Sequence, residues 1–177
     1  MASSTCTLIA SYTFAGASLG YAFTSIPATY TDLKLIISGR TDGNNEYWDL
    51  GLEINSDATA ANYQTSLAYS APTTASQIYA GTLPYIYALN SIAGDTAGTN
   101  MFGVVEFEIP NYSSTTKNKA FSWNATSIRG SATRVYNVIG GGWWKSNSAI
   151  NRIYVSTASG QNFKVGTTLS LYGISNS

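Results

Sequence analysis

Apolar and polar residues alternate along most of this chain. Trp48, Leu50, Leu52 and Ile54 alternate with Asp49, Gly51 and Glu53, the cleanest two-residue period present. Leu33, Leu35 and Ile37 alternate with Lys34, Ile36 and Ser38, so 33–40 reads as a strand with one face buried. Leu19, Tyr21 and Phe23 share a face within 19–26, and Phe107 and Ile109 oppose Glu106 and Glu108 within 101–109. Further strands are predicted over 7–14, 119–125, 134–139, 150–156 and 168–174.

Turn-forming clusters separate these segments. They include Asp42-Gly-Asn-Asn45, Asn55-Ser-Asp57, Gly94-Asp-Thr-Ala-Gly98, Pro110-Asn-Tyr112 and Ser159-Gly-Gln-Asn162. Turn signals about ten residues apart predict an all-β, antiparallel chain of about eight to ten strands, closed as a β-sandwich or a barrel. A helical period is absent, and the one short helix candidate is 58–66, with Asp57 as a cap. The span 63–97 is the least regular. Pro72 and Pro84 interrupt it, and strands are expected near 77–80 and 85–89, joined by long loops. No linker divides the chain, so 1–177 is read as one domain.

Composition narrows the function classes. Nine Lys+Arg balance nine Asp+Glu, and charged residues are only 10% of the 177. The chain therefore has no excess positive charge to displace counterions from a nucleic acid. Histidine is absent and Cys6 is the single cysteine. That removes imidazole-based triads and metal sites, and any disulfide framework. Cys6, beside Leu8 and Ile9, is expected to be buried. The amino terminus lacks the basic residue and long apolar stretch of a secretory leader, and no apolar run is long enough to span a membrane. The expectation is synthesis in a cytoplasm, with no membrane partner. In place of charge stand 23 Ser, 21 Thr and 14 Asn. Such a near-neutral surface favours association.

Few side chains offer chemistry. Glu106 and Glu108 share a strand face, with Cα atoms about 6.5–7 Å apart. Retaining glycosidases hold their carboxyl groups about 5–5.5 Å apart. The third acid of jelly-roll glucanases is missing, since Val104 and Pro110 occupy the matching positions. A solvated outer face is the simpler reading. Asp42, Glu46 and Asp49 could gather around Ca²⁺, but the Gly spacing is not that of a calcium loop, and a turn explains the run. Gly140-Gly-Gly-Trp143-Trp144 is no phosphate loop, because neither Lys-Ser/Thr nor a helix follows. The glycines are expected to form a bulge, and the adjacent tryptophans to point to opposite faces. Tyr85, Tyr87, Trp48 and Trp144 are the candidate contacts for a partner or a glycan, since aromatic rings stack on sugars and anchor interfaces.

Several segments resemble, in order and spacing, a family of short structural proteins of tailed bacteriophages. These are Leu8-Ile-Ala10, Phe23-Thr-Ser-Ile-Pro-Ala-Thr-Tyr-Thr-Asp-Leu33, Ser38-Gly-Arg40, Asn55-Ser-Asp57 with Asn62-Tyr63, and Ile109-Pro-Asn-Tyr112. Gly142-Trp143-Trp144, Ala149-Ile150 with Ile153, Phe163, Gly166-Thr167 and Leu169-Ser-Leu-Tyr-Gly-Ile174 continue the series. The resemblance runs from about residue 5 to the end, and the middle, 63–100, has no counterpart in it.

The resemblance implies a jelly roll that serves as a virion component, with no catalytic residue and no cofactor. Its leading expectation is a capsid decoration (cement) protein, a homotrimer that binds the major capsid protein and stabilises the icosahedral shell. The start at Met1 without a fibre-like stalk or collagen-like repeat favours that role. The alternative is a tail-fibre head that recognises a host surface glycan. A β-sandwich glycosidase is a distant third.

Overall fold

The computed structural model describes residues 5–71, 74–129 and 134–175. The first residues, Met1 to Ser4, and Pro72, read above as a break, lie outside them. The described residues form an all-β sandwich of two antiparallel sheets. The strands are β1 (Thr5–Thr13), β2 (Gly20–Phe23), β3 (Asp32–Gly39), β4 (Tyr47–Ile54), β5 (Tyr63–Ala71) and β6 (Thr74–Gly81). They continue with β7 (Ile86–Ala93), β8 (Gly103–Pro110), β9 (Lys119–Arg129), β10 (Arg134–Trp144), β11 (Ile153–Thr157) and β12 (Thr168–Ser175). Eight strands lie in the order β1-β12-β3-β8-β9-β10-β5-β6, and four in the order β2-β11-β4-β7.

The alternation sets which faces meet. Leu33, Leu35 and Ile37 of β3 are fully buried, as are Val105, Phe107 and Ile109 of β8 beside them and Leu169 and Leu171 of β12 on the other flank. Against this face the small sheet packs Leu50, Leu52 and Ile54 of β4, Ile153 and Val155 of β11, and Ile86 and Ala88 of β7. Each fully buried side chain of this size contributes about 1.5–3 kcal/mol of hydrophobic stabilisation. At the edge where β1 and β2 approach, Tyr12 and Tyr21 stack with centroids 3.9 Å apart, and Tyr12 meets Phe14 edge-on.

The irregular middle is more ordered in strands than its sequence predicts. It holds β5, β6 and β7. The sequence predicts no strand at β5, because Ala58, Ala60 and Ala61 read as a helix start; the helix there is a single 3-10 turn, Ala60–Asn62. Asp57 bonds the Thr59 N–H rather than capping that turn from the N-cap position. β5 is a strand because its alternate residues Tyr63, Thr65 and Leu67 are buried, and its backbone pairs with Trp144 through Val138 of β10.

Two other expectations are corrected. The glycines 140–142 make no bulge: β10 pairs with β9 in unbroken register from Arg134 to Trp144. Gly140 sits opposite Trp123, and a Cβ there would lie 2.1 Å from Trp123 Cζ2. The missing side chain is the space the buried indole occupies. Cys6 is exposed, not buried. Residues Thr5 to Leu8 open the edge strand β1 and are exposed on both faces, so neither face has a layer to bury it.

Candidate functional site

The motif residues come together in space. At one end of the sandwich, Asn55 and Ser56 adopt φ of 51° and 59°, a turn conformation that Asn tolerates well. The Asn55 side chain donates to the Ala149 carbonyl at 2.8 Å and accepts from the backbone N–H groups of Asn151 and Arg152. Asp57 accepts from Trp144 Nε1 and Asn62 Nδ2, each at 2.8 Å, and from the Thr59 N–H at 3.0 Å. Desolvation opposes ionisation of Asp57, yet these bonds, led by Trp144, outweigh it and hold the carboxyl below its ordinary value.

Tyr63 completes this corner. Its hydroxyl accepts from the Ile54 N–H at 3.1 Å and donates to the Asp57 carbonyl at 2.8 Å. Burial, foremost, pushes its phenol well above the ordinary range. Removing the hydroxyl leaves the buried Ile54 N–H and the half-buried Asp57 carbonyl without this partner. Tyr63→Phe is expected to cost about 1–2 kcal/mol, read as a lower urea midpoint with an unchanged slope.

A second joint lies beside it. The Tyr112 hydroxyl donates to the Pro27 carbonyl, and the Asn111 N–H donates to Asp32 Oδ1 at 2.9 Å. The Tyr30 ring covers Gly173, where a Cβ would come within 2.3 Å of the ring. At the opposite end, Thr167 Oγ1 accepts from the Arg40 N–H and donates to the Arg40 carbonyl, each at 3.1 Å. Segments far apart in the chain are thus hydrogen-bonded pairs. They are joints of the scaffold.

The four candidate contact residues separate. Tyr85 and Tyr87 lie together on the outer face of the small sheet, with ring centroids 6.4 Å apart. The Tyr87 hydroxyl donates to Asp49 Oδ2 at 2.6 Å, and the Tyr85 ring lies over Gly51. Trp48 is wedged against Gly43 and Gly94, and its buried Nε1 finds no acceptor among the described residues. Trp144 is 3% exposed and bound to Asp57, so it presents nothing to a partner. The two tryptophans do point to opposite faces, and the outward one is Trp143, 38% exposed, with its Nε1 on Gln64 Oε1. Strand alternation could not say which of the two faces out, because the expected bulge at the glycines left the phase of β10 open.

Glu106 and Glu108 share the outer face of the large sheet and flank Lys34 of the neighbouring strand, at 2.7 and 3.6 Å. The Glu106 hydrogen bond raises the Lys34 pKa, against partial desolvation. This is an exposed ion pair, worth about 0–1 kcal/mol. Of the acids weighed as calcium ligands, Asp42 bonds the Asn162 backbone and side chain, and Asp49 holds Tyr87 and the Asn90 N–H. Among the described residues no group of three or more His, Cys, Asp or Glu side chains could hold a metal ion. No helix among them is long and apolar enough to cross a membrane.

Sequence reasoning missed two surfaces. One is the outer face of β9, β10 and β5, where Val135, Ile139 and Trp143 are exposed among Asn124, Thr126, Gln64 and Ser66, none of them charged. Its signal is the alternation of β10, hidden by the glycines. The other is a cleft at the Arg40 end, built by loops whose meeting no local pattern encodes. Compared with protein-family models, with curated proteins and with solved structures, the chain matches none.

Proposed function

We propose that this chain is a structural protein of a tailed-phage virion, a decoration protein that sits on the capsid as a homotrimer and ties neighbouring capsid subunits together. The observation that carries this reading is the uncharged outer face of β9, β10 and β5, with three large apolar side chains exposed along one strand. Apolar anchors in a neutral polar field suit a permanent protein contact. Binding only the assembled shell would stabilise it by mass action.

Two further features support the reading. The residues that resemble the phage family are those that bond one another across the fold, as expected if they were kept for architecture. The strand wiring also suits a jelly roll. Taken without the β5–β6 and β9–β10 hairpins, the two sheets run β1-β12-β3-β8 and β2-β11-β4-β7, the interleaved order of two Greek keys. On this view the hairpins are additions that widen one sheet and create its apolar outer face.

The test is localisation. Antibody against the recombinant protein, applied to particles purified from lysed cultures carrying the gene, is expected to label heads in electron micrographs. Label confined to tails would refute the decoration role. It would favour the second reading, a fibre head that binds a host surface glycan, for which the adjacent Tyr85 and Tyr87 beside Asp49 speak.

A further inference from the structure

The loop 94–102 and the segment 164–166 meet at the Arg40 end and enclose a cleft of about 450 Å³. That volume lies within the range of small-molecule sites. Its walls are held in place from beneath. Arg40 is 7% exposed, and its guanidinium donates to the carbonyls of Gly98, of Met101 at 3.1 Å and of Asp95 at 2.9 Å. One buried cation thus pins three points of the loop, which fixes the cleft before any ligand arrives. Lys164 Nζ bonds Asp95 Oδ1 across the cleft mouth, and Arg40 Nη2 lies 3.5 Å from the same oxygen.

These bonds decide which ligand chemistry is left. Both cations are committed to protein oxygens, so the cleft is a poor trap for a free anion. What remains is uncharged side chains and one carboxylate oxygen. Thr96, Thr99 and Asn100 are exposed, and their side chains make no hydrogen bond with the described residues. Asp95 Oδ2 is left as an acceptor. Phe102 supplies an apolar wall, its ring seated against Gly166, where a Cβ would lie 3.5 Å away. Hydroxyl, amide and carboxylate groups around one aromatic ring match a pyranose, which has an apolar C–H face and a rim of hydroxyls.

We propose that this cleft is a carbohydrate site for a neutral pyranose unit, with Phe102 against the C–H face and Thr96, Thr99, Asn100 and Asp95 on the hydroxyls. The proposal concerns binding and holds wherever in a particle the protein sits, so it and the decoration role fail separately. It also places the sugar away from the Tyr85–Tyr87 face.

Titration of ¹⁵N-labelled protein with galactose, rhamnose, N-acetylglucosamine and glucuronate, each at millimolar concentrations, tests it. The expected result is saturable shifts of the 95–102 and 164–166 amides with at least one neutral sugar. Asn100→Gly preserves the backbone at φ 59° while deleting the amide. Thr96→Val deletes a hydroxyl at nearly constant shape. Each is expected to weaken binding about tenfold with an unchanged melting temperature. No response to any neutral sugar overturns the proposal, as does a response to glucuronate alone. Shifts centred on Tyr85 and Tyr87, or affinity untouched by both substitutions, overturn it equally.

Discussion

Gly140→Val is expected to destabilise the protein by about 3 kcal/mol or more, enough to leave much of it unfolded or insoluble at 37 °C. The reason is geometric. A Cβ on Gly140 would stand 2.1 Å from Trp123 Cζ2 and 2.3 Å from Cε2. The indole cannot retreat, because Trp123 is 1% exposed and packs on Phe107, with ring centroids 5.8 Å apart. Gly141, the neighbour on the other face, gives the control. Its nearest atom to a Cβ is the Phe121 carbonyl at 3.4 Å, so Gly141→Ala is expected to be tolerated. The measurement is a urea melt of all three proteins. Pairing Gly140→Ala with Trp123→Leu provides a cross-check: the double variant is expected to be more stable than the sum of the single losses, since each change relieves the other's fault. Additivity of the two losses would show that the glycine does not exist to admit the indole.

Asp57→Ala carries the second large effect, a loss of about 3 kcal/mol at neutral pH. One carboxylate holds the buried Trp144 indole, the Asn62 amide and the Thr59 backbone. Its removal leaves the indole N–H without a partner in a buried site. The pH dependence follows from the lowered pKa. Well above the ordinary value of 3.8, Asp57 is ionised in both the folded and the unfolded chain, and its full contribution is present. As the pH falls below 3.8, the unfolded chain takes up the proton first, so the native state loses ground until the pH has passed the lower folded value. The stability gap between wild type and Asp57→Ala should therefore narrow in acid. Urea melts at neutral pH and at about pH 3 measure it. A gap that stays constant would mean that the carboxylate charge is not what holds the corner.

Much of the fold was legible in the chain, and the reason is local. A strand with one face in a core must alternate, so Leu33 to Ile37 and Trp48 to Ile54 announced β3 and β4 without any knowledge of their neighbours. β5 did not announce itself, and β10 did so only as far as residue 139, because the inward residues there are small or polar. β5 buries Thr65 between Tyr63 and Leu67, and β10 points Gly140 and Gly142 inward. In β10 the apolar bulk that fills the position comes from another strand. Trp123 fills the space above Gly140, and the Ile86 side chain approaches Gly142.

The candidate surfaces were less legible still. Tyr85 and Tyr87, two apart on one segment, could be paired from sequence, because alternation puts both on one face. Trp144 could not be told from Trp143, since the choice rests on the phase of β10 and on an acceptor, Asp57, 87 positions away. The cleft gave no local sign at all. Arg40, Asp95 and Lys164 are ordinary residues of separate segments until the sheets bring those segments to one end.

Composition and alternation by themselves determined the class of this protein: an all-β chain, near neutral, without histidine and rich in Ser, Thr and Asn. They could do so because charge and two-residue periodicity are properties of the chain alone. Tertiary structure decided which tryptophan is structural, why positions 140 and 142 are glycine, and where a cleft opens. Those outcomes depend on contacts between residues about 17 to 127 positions apart, and such contacts exist only once the two sheets have closed on each other.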